Sequence, residues 1–154
     1  MKRVKLALTG IVTLLLTTFG IAAQDGGGDE RYEQQKVVYH INHDGGEDGR
    51  SYRAAMNNIQ NHISAVGAQN LEARVVLHGD GVGLLSEAIE DDRLQTQIGS
   101  LKAQDVAFVI CNNTLESRDI VLDDLYDAWE DDVVPSGVAE LSHLQQQGFT
   151  YIKP

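Results

Sequence analysis

Three short β-branched or aromatic runs, at residues 36–41, 72–78 and 105–111, are each followed by a stretch patterned for a helix. That alternation constrains the fold most. Strands separated by helices cannot pair as hairpins; they pair in parallel, with the helices crossing over the sheet. Residues 51–67 carry Ala55, Met56, Ile59, Ile63 and Val66 at spacings of three and four, one apolar helical stripe, and Gly67 supplies a stop. A second helical region spans 85–103 with a break near Asp91. A third spans 114–125. Pro135 fits the first position of a fourth helix, with Val138, Leu141 and Leu144 as its apolar face and Gly148 as its end. Residues 149–152 close the chain as a short strand, and Val133-Val134 reads as a short strand or a helix lead-in. The expected class is α/β: a three-layer sandwich with a mostly parallel central sheet and helices on both faces.

The N-terminus reads differently. Lys2, Arg3 and Lys5 precede an apolar, Thr-containing run over residues 6–21, which ends in small residues at Ala22 and Ala23. This is the pattern of a secretory signal peptide, cleaved near Ala22 or Ala23. The run is short for a membrane-spanning helix. Residues 24–35 begin Gly-rich and acidic and read as a flexible tether, leaving 36–154 as the domain. With no acid before Asp25, loss of the three leader charges takes the formal net charge from −11 to −14. Such an acidic chain is expected to avoid nucleic acid and anionic lipid, and to stay off the membrane once the leader is gone. The remaining ~130 residues suffice for one core without a disulfide staple. The expected location is the periplasm or another exported compartment.

Export makes the single cysteine informative, because Cys111 can form no internal disulfide. It falls between the end of the third strand and the start of a helix. Backbone N–H groups at a helix start stabilise a thiolate, which is the reactive form. The competing reading is a small buried hydrophobe.

Ligands of open parallel sheets bind beyond the carboxyl ends of the strands. The first strand ends at His40-Ile41-Asn42-His43, the second at His78-Gly79-Asp80 and the third at Cys111-Asn112-Asn113. Three of the five histidines and the only cysteine thus fall at strand tips. Cys111 is the candidate nucleophile or sulfur acceptor, and His78 its candidate base or hydrogen-bond partner. His40, His43, Gly79, Asn112, Asn113 and Thr114 are the candidate ligand-binding residues of the rim. His40 also reads as a packed, hydrogen-bonded histidine, and His43 as a solvated one. His62 and His143 lie in helices and read as structural or surface groups.

The glycine loop at 79–83 carries no nucleotide fingerprint. Asp44, Glu47, Asp48 and Asp80 lack calcium-loop spacing. Imidazole and thiolate from His40, His43, His78 and Cys111 could hold zinc or copper, but no local spacing motif supports it, and no metal or cofactor is assigned. Trp129 reads as an interface anchor or a core residue.

The segments VVYHI at 37–41, VVLHG at 75–79, VAFVICNNTL at 106–115 and VPSGVAEL at 134–141 together resemble the DsrE/DsrF-like family, and more narrowly its exported branch. The resemblance covers residues 36–154. It implies a compact α/β fold and assembly as homo-trimers or hexamers. It also implies a persulfide-carrying cysteine at the position of Cys111, served by a sulfur donor or acceptor protein or a small sulfur compound. The expected function is an exported sulfur carrier or sulfurtransferase-like protein. The alternative is a non-enzymatic oligomeric protein of the periplasm that binds a small ligand or metal.

Overall fold

The structure, a computed structural model, describes residues 31–154. The signal-peptide reading of 1–23 and the first part of the tether lie outside the described residues. Arg31 to Gln34 are exposed, and the first strand opens at Gln35.

Five strands form one sheet in the order β4-β3-β2-β1-β5, and every pair is parallel. They are β1 (Gln35–Ile41), β2 (Leu71–Leu77), β3 (Ala107–Cys111), β4 (Val133–Val134) and β5 (Thr150–Ile152). The helices are α1 (Arg50–Val66), α2 (Gly83–Glu87), α3 (Asp92–Lys102), α4 (Asn112–Ser117) and α5 (Gly137–Gln146). No helix among the described residues is long and apolar enough to cross a membrane.

The two faces of the sheet are unequal. Val37, Tyr39, Ile41, Val75, Leu77, Phe108 and Ile110 point to one side, where they form the main core with α1, α2 and α3. Strand alternation sends the intervening residues to the other side, which α5 covers. There the core is small: Val38, Val76, Leu141, Leu144 and Phe149, with Val109 against it. Followed along the strands, this second face changes character. It starts with the ion pairs of Glu72 with Lys36 and Arg74, becomes apolar at Val38, Val76 and Val109, and ends at His40, His78 and Cys111.

Local chemistry sets the helix ends. Gly67, at φ +89°, terminates α1. Asp91 breaks the 85–103 region as the N-cap of α3, its carboxylate accepting from the Arg93 and Leu94 N–H groups. Two boundaries differ from the sequence reading. Helix α4 stops at Ser117 rather than running to Leu125, because Asp119 turns left-handed (φ +54°) and the Ile120 N–H closes back on Leu115 O. That is a Schellman closure made without glycine. Pro135 precedes the last helix instead of opening it; Ser136 is the N-cap and Gly137 the first helical residue. Val138 is exposed at 63%, so Leu141 and Leu144 alone carry the buried stripe of α5. Trp129, at 67% exposure, is no core residue.

Candidate functional site

Parity and register bring His40, His78 and Cys111 to one face. Leu77 pairs with Ile110, so the next residues along, His78 and Cys111, leave adjacent strands side by side. The start of α5 lies over them. A Cβ on Gly137 would stand 3.0 Å from His78 Cβ and 3.2 Å from Cys111 Cβ. Only glycine lets the helix backbone approach this closely.

That approach serves the thiol. Cys111 is 5% exposed and caps α4. The Gly137 N–H, the Thr114 hydroxyl, the Thr114 N–H and the Asn113 N–H lie about its sulfur, although the side chain makes no regular capping bond to α4. Burial pushes the thiol up, but these donors outweigh it and hold Cys111 below its ordinary value. The Thr114 hydroxyl is itself oriented: Gly79 N–H donates to its oxygen at 2.9 Å, which leaves its one proton for the sulfur. Two further contacts fix the frame. Asn113 N–H donates to Pro135 O at 3.3 Å, tying the α5 lead-in to α4, and Arg118 pairs with Asp80 at 2.7 Å, tying α4 to the loop after β2.

The histidines form a second line of contacts. His78 Nε2 meets His40 Nε2 at 2.6 Å, and His40 Nδ1 meets the Tyr151 hydroxyl at 2.7 Å. The two imidazoles stack, with centroids 4.7 Å apart. Burial, then the charges of His78, Lys153 and His43, push His40 down to about 4. Burial and Lys153 push His78 down as well. Both rings are therefore neutral near pH 7.

This sets a pH dependence of stability. His40 binds a proton near its ordinary 6.5 when unfolded but only near 4 when folded. Its contribution is complete above about pH 6.5 and is lost as pH falls toward 4. Urea midpoints should fall across that window, and the fall should be shallower in a His40→Gln variant. An unchanged slope in the variant would remove His40 as a cause.

A family model for the DsrE/DsrF-like family matches residues 36–154, which takes in every strand but the first residue of β1. The chain belongs to the DsrE/DsrF-like family. Three solved chains match this DsrE/DsrF-like domain. One is a protein of unknown function, MTH1491 from Methanobacterium thermoautotrophicum. It is 28% identical, with a TM-score of 0.64, over 79% of this chain and 100% of that one. No curated protein matches.

Within the family domain, the remaining rim candidates take different places. Gly79 (φ +55°) and Asn113 contribute backbone N–H groups, as described, and Thr114 contributes both its N–H and its hydroxyl. The Asn112 amide donates to Glu116 within its own helix, at 2.8 Å. His43 is not brought to the thiol: its Nδ1 bonds Asp44 O at 2.8 Å, and its ring stacks on Tyr52. His78 sits beside Cys111, but its Nε2 contact goes to His40. Among the described residues, no group of three or more His, Cys, Asp or Glu is placed to hold a metal ion. Sequence reasoning missed Gly137 and Tyr151. Gly137 lay within the quoted 134–141 motif, directly after a capping serine. Tyr151 could have been found by alternation, since it pairs with Val38 and shares its face.

Proposed function

We propose that this domain accepts a sulfane sulfur on Cys111, holds it as a persulfide and passes it on, as an exported sulfur carrier. One observation carries the reading: Cys111 sits at the start of α4 with the first turn of α5 packed against it, and the donors about its sulfur hold the thiol below its ordinary value despite burial. A structural cysteine gains nothing from such a setting, whereas a nucleophilic one gains thiolate character. At 5% exposure the sulfur suits a small donor, such as a low-molecular-weight persulfide or polysulfide, better than a bulky one. Membership of the family supports sulfur-relay chemistry in general. The leader-like residues 1–23 support action outside the cytoplasm.

Intact-mass measurement after incubation with cysteine persulfide tests this. The wild-type chain should gain one sulfur mass, released by dithiothreitol, and a Cys111→Ala variant should gain none. Iodoacetamide should alkylate Cys111 at neutral pH faster than it alkylates free cysteine. No mass gain, with alkylation no faster than a free thiol, would end the carrier reading.

A further inference from the structure

Tyr151, His40 and His78 come from β5, β1 and the residue after β2, which are neighbours in the sheet. Their contacts at 2.7 and 2.6 Å run from the sheet edge inward to the strand beside Cys111. The outer end is open, with Tyr151 41% exposed, while His40 in the middle is 8% exposed. Lys153 and His43 are the charged and titratable neighbours that act on His40, and Lys153 acts on His78.

Hydrogen-bond bookkeeping gives this chain two self-consistent directions. In one, the Tyr151 hydroxyl donates to His40 Nδ1, His40 Nε2–H donates to His78 Nε2, and His78 carries its proton on Nδ1. In the other, every bond is reversed, and His78 Nδ1 is bare. Passing from the first to the second moves one proton from solvent, through Tyr151, to whatever faces His78 Nδ1. Neither imidazole becomes charged at any stage. Nδ1 lies two bonds from His78 Cβ. The two Cβ atoms of His78 and Cys111 flank one point at 3.0 and 3.2 Å, so they are at most about 6 Å apart. Imidazole and thiol thus leave neighbouring strands on one face, with the first turn of α5 against both.

We propose that His78 delivers a proton to the thiolate that departs when Cys111 takes sulfur, with His40 and Tyr151 as positioning residues that refill His78 from solvent. The inference rests on the sulfur-carrier reading of Cys111. The donor class is an alkyl persulfide, R–S–SH. The Cys111 thiolate attacks its outer sulfur, a new S–S bond forms, and the original S–S bond breaks with its electron pair going to R–S⁻. That thiolate takes the proton from His78 Nδ1 as His78 Nε2 receives one from His40, and His40 Nδ1 one from Tyr151. Water then restores the phenol. The products are the Cys111 persulfide and R–SH, with no net oxidation.

The test compares two reagents on the full chain. Cysteine persulfide expels an alkyl thiolate, which benefits from a proton. 4,4′-Dithiodipyridine, a smaller and uncharged aromatic disulfide, expels a weakly basic aryl thiolate, which does not. His78→Gln should slow sulfur uptake from cysteine persulfide by about tenfold or more, the lower range of general acid catalysis. It should leave the aromatic disulfide reaction within about twofold of wild type. A solvent deuterium isotope effect on persulfide transfer should appear in wild type and disappear in His78→Gln, and Tyr151→Phe should reduce it. Equal slowing with both reagents would show a merely structural histidine and overturn the proposal. So would wild-type uptake rates in His78→Gln, while leaving the carrier reading intact. If wild type gains no sulfur although the aromatic disulfide labels Cys111, the carrier reading falls and this inference falls with it.

Discussion

A Gly81→Ala chain should yield little folded protein. The added methyl would sit 1.9 Å from Ile41 O, 2.5 Å from Ile41 C and 3.0 Å from Asn42 N. All three are backbone atoms at the end of β1, so no side-chain rotation relieves the clash. The requirement is one of space: Gly81 is not among the glycines with positive φ. Its loop is also held in place, because the His78 N–H donates to Ile41 O at 3.3 Å and the Gly81 N–H to His78 O at 3.1 Å. Overpacking a rigid site costs about 3 kcal/mol or more, against a typical total stability of roughly 5–15 kcal/mol. The soluble yield should collapse, and any folded fraction should melt about 10 °C or more below wild type. Gly99→Ala is the matched control. Nothing lies within 4 Å of its new methyl, inside α3, so it should gain roughly 0.5–1 kcal/mol from helix propensity. Equal melting temperatures for the two variants would mean that the β1 and β2 tips can separate by more than an ångström without cost.

Gly137→Val should leave the fold standing and disable the thiol. The new side chain would begin 3.0 Å from His78 Cβ, 3.2 Å from Cys111 Cβ and 3.4 Å from Val76 Cγ1. The neighbours must give way, and the first turn of α5 is what can move, since Leu141 and Leu144 anchor the helix further along. Lifting that turn takes the Gly137 N–H off the sulfur. A hydrogen bond to a charged group contributes about 1.5 kcal/mol or more, so alkylation and sulfur uptake at neutral pH should fall roughly tenfold. The alkylation profile should shift to higher pH. Ser136→Ala separates the two causes: it removes the side-chain bond to the Ala139 N–H, 3.4 Å long, and adds no bulk at the thiol. It should cost about 1 kcal/mol of stability with a smaller change in reactivity. An unshifted profile in Gly137→Val would show that Asn113 and Thr114 suffice to activate Cys111.

The sheet was legible because its evidence is local. The β-branched runs at 36–41 and 72–78 sit within a residue of β1 and β2, and the stripe from Ala55 to Val66 is the buried face of α1. Parallel pairing followed from alternation alone. The end of α4 was not legible, since Asp119 adopts a left-handed turn usually marked by glycine or asparagine. The site divides the same way. Strand tips marked His40, His78 and Cys111 individually. Which of them touch depended on tertiary facts: the strand order, the diagonal from His78 back to His40, and the place where α5 returns. His43 shows the limit, because two residues beyond the end of β1 its ring stacks on Tyr52. Gly137 was the hardest to see, since its contribution is a missing side chain and one amide.

Helix α5 covers the second face of the sheet with two leucines and also supplies an amide to Cys111. The thiol therefore shares its fate with the least buttressed layer of the molecule. Detachment of α5 would leave the larger core with α1, α2 and α3 in place, a local opening rather than global unfolding. Hydrogen exchange should register it as amides of α5 that exchange ahead of those in β1 and β2. On warming, chemical reactivity should fade before the sheet melts, so loss of sulfur uptake would report on a single helix letting go.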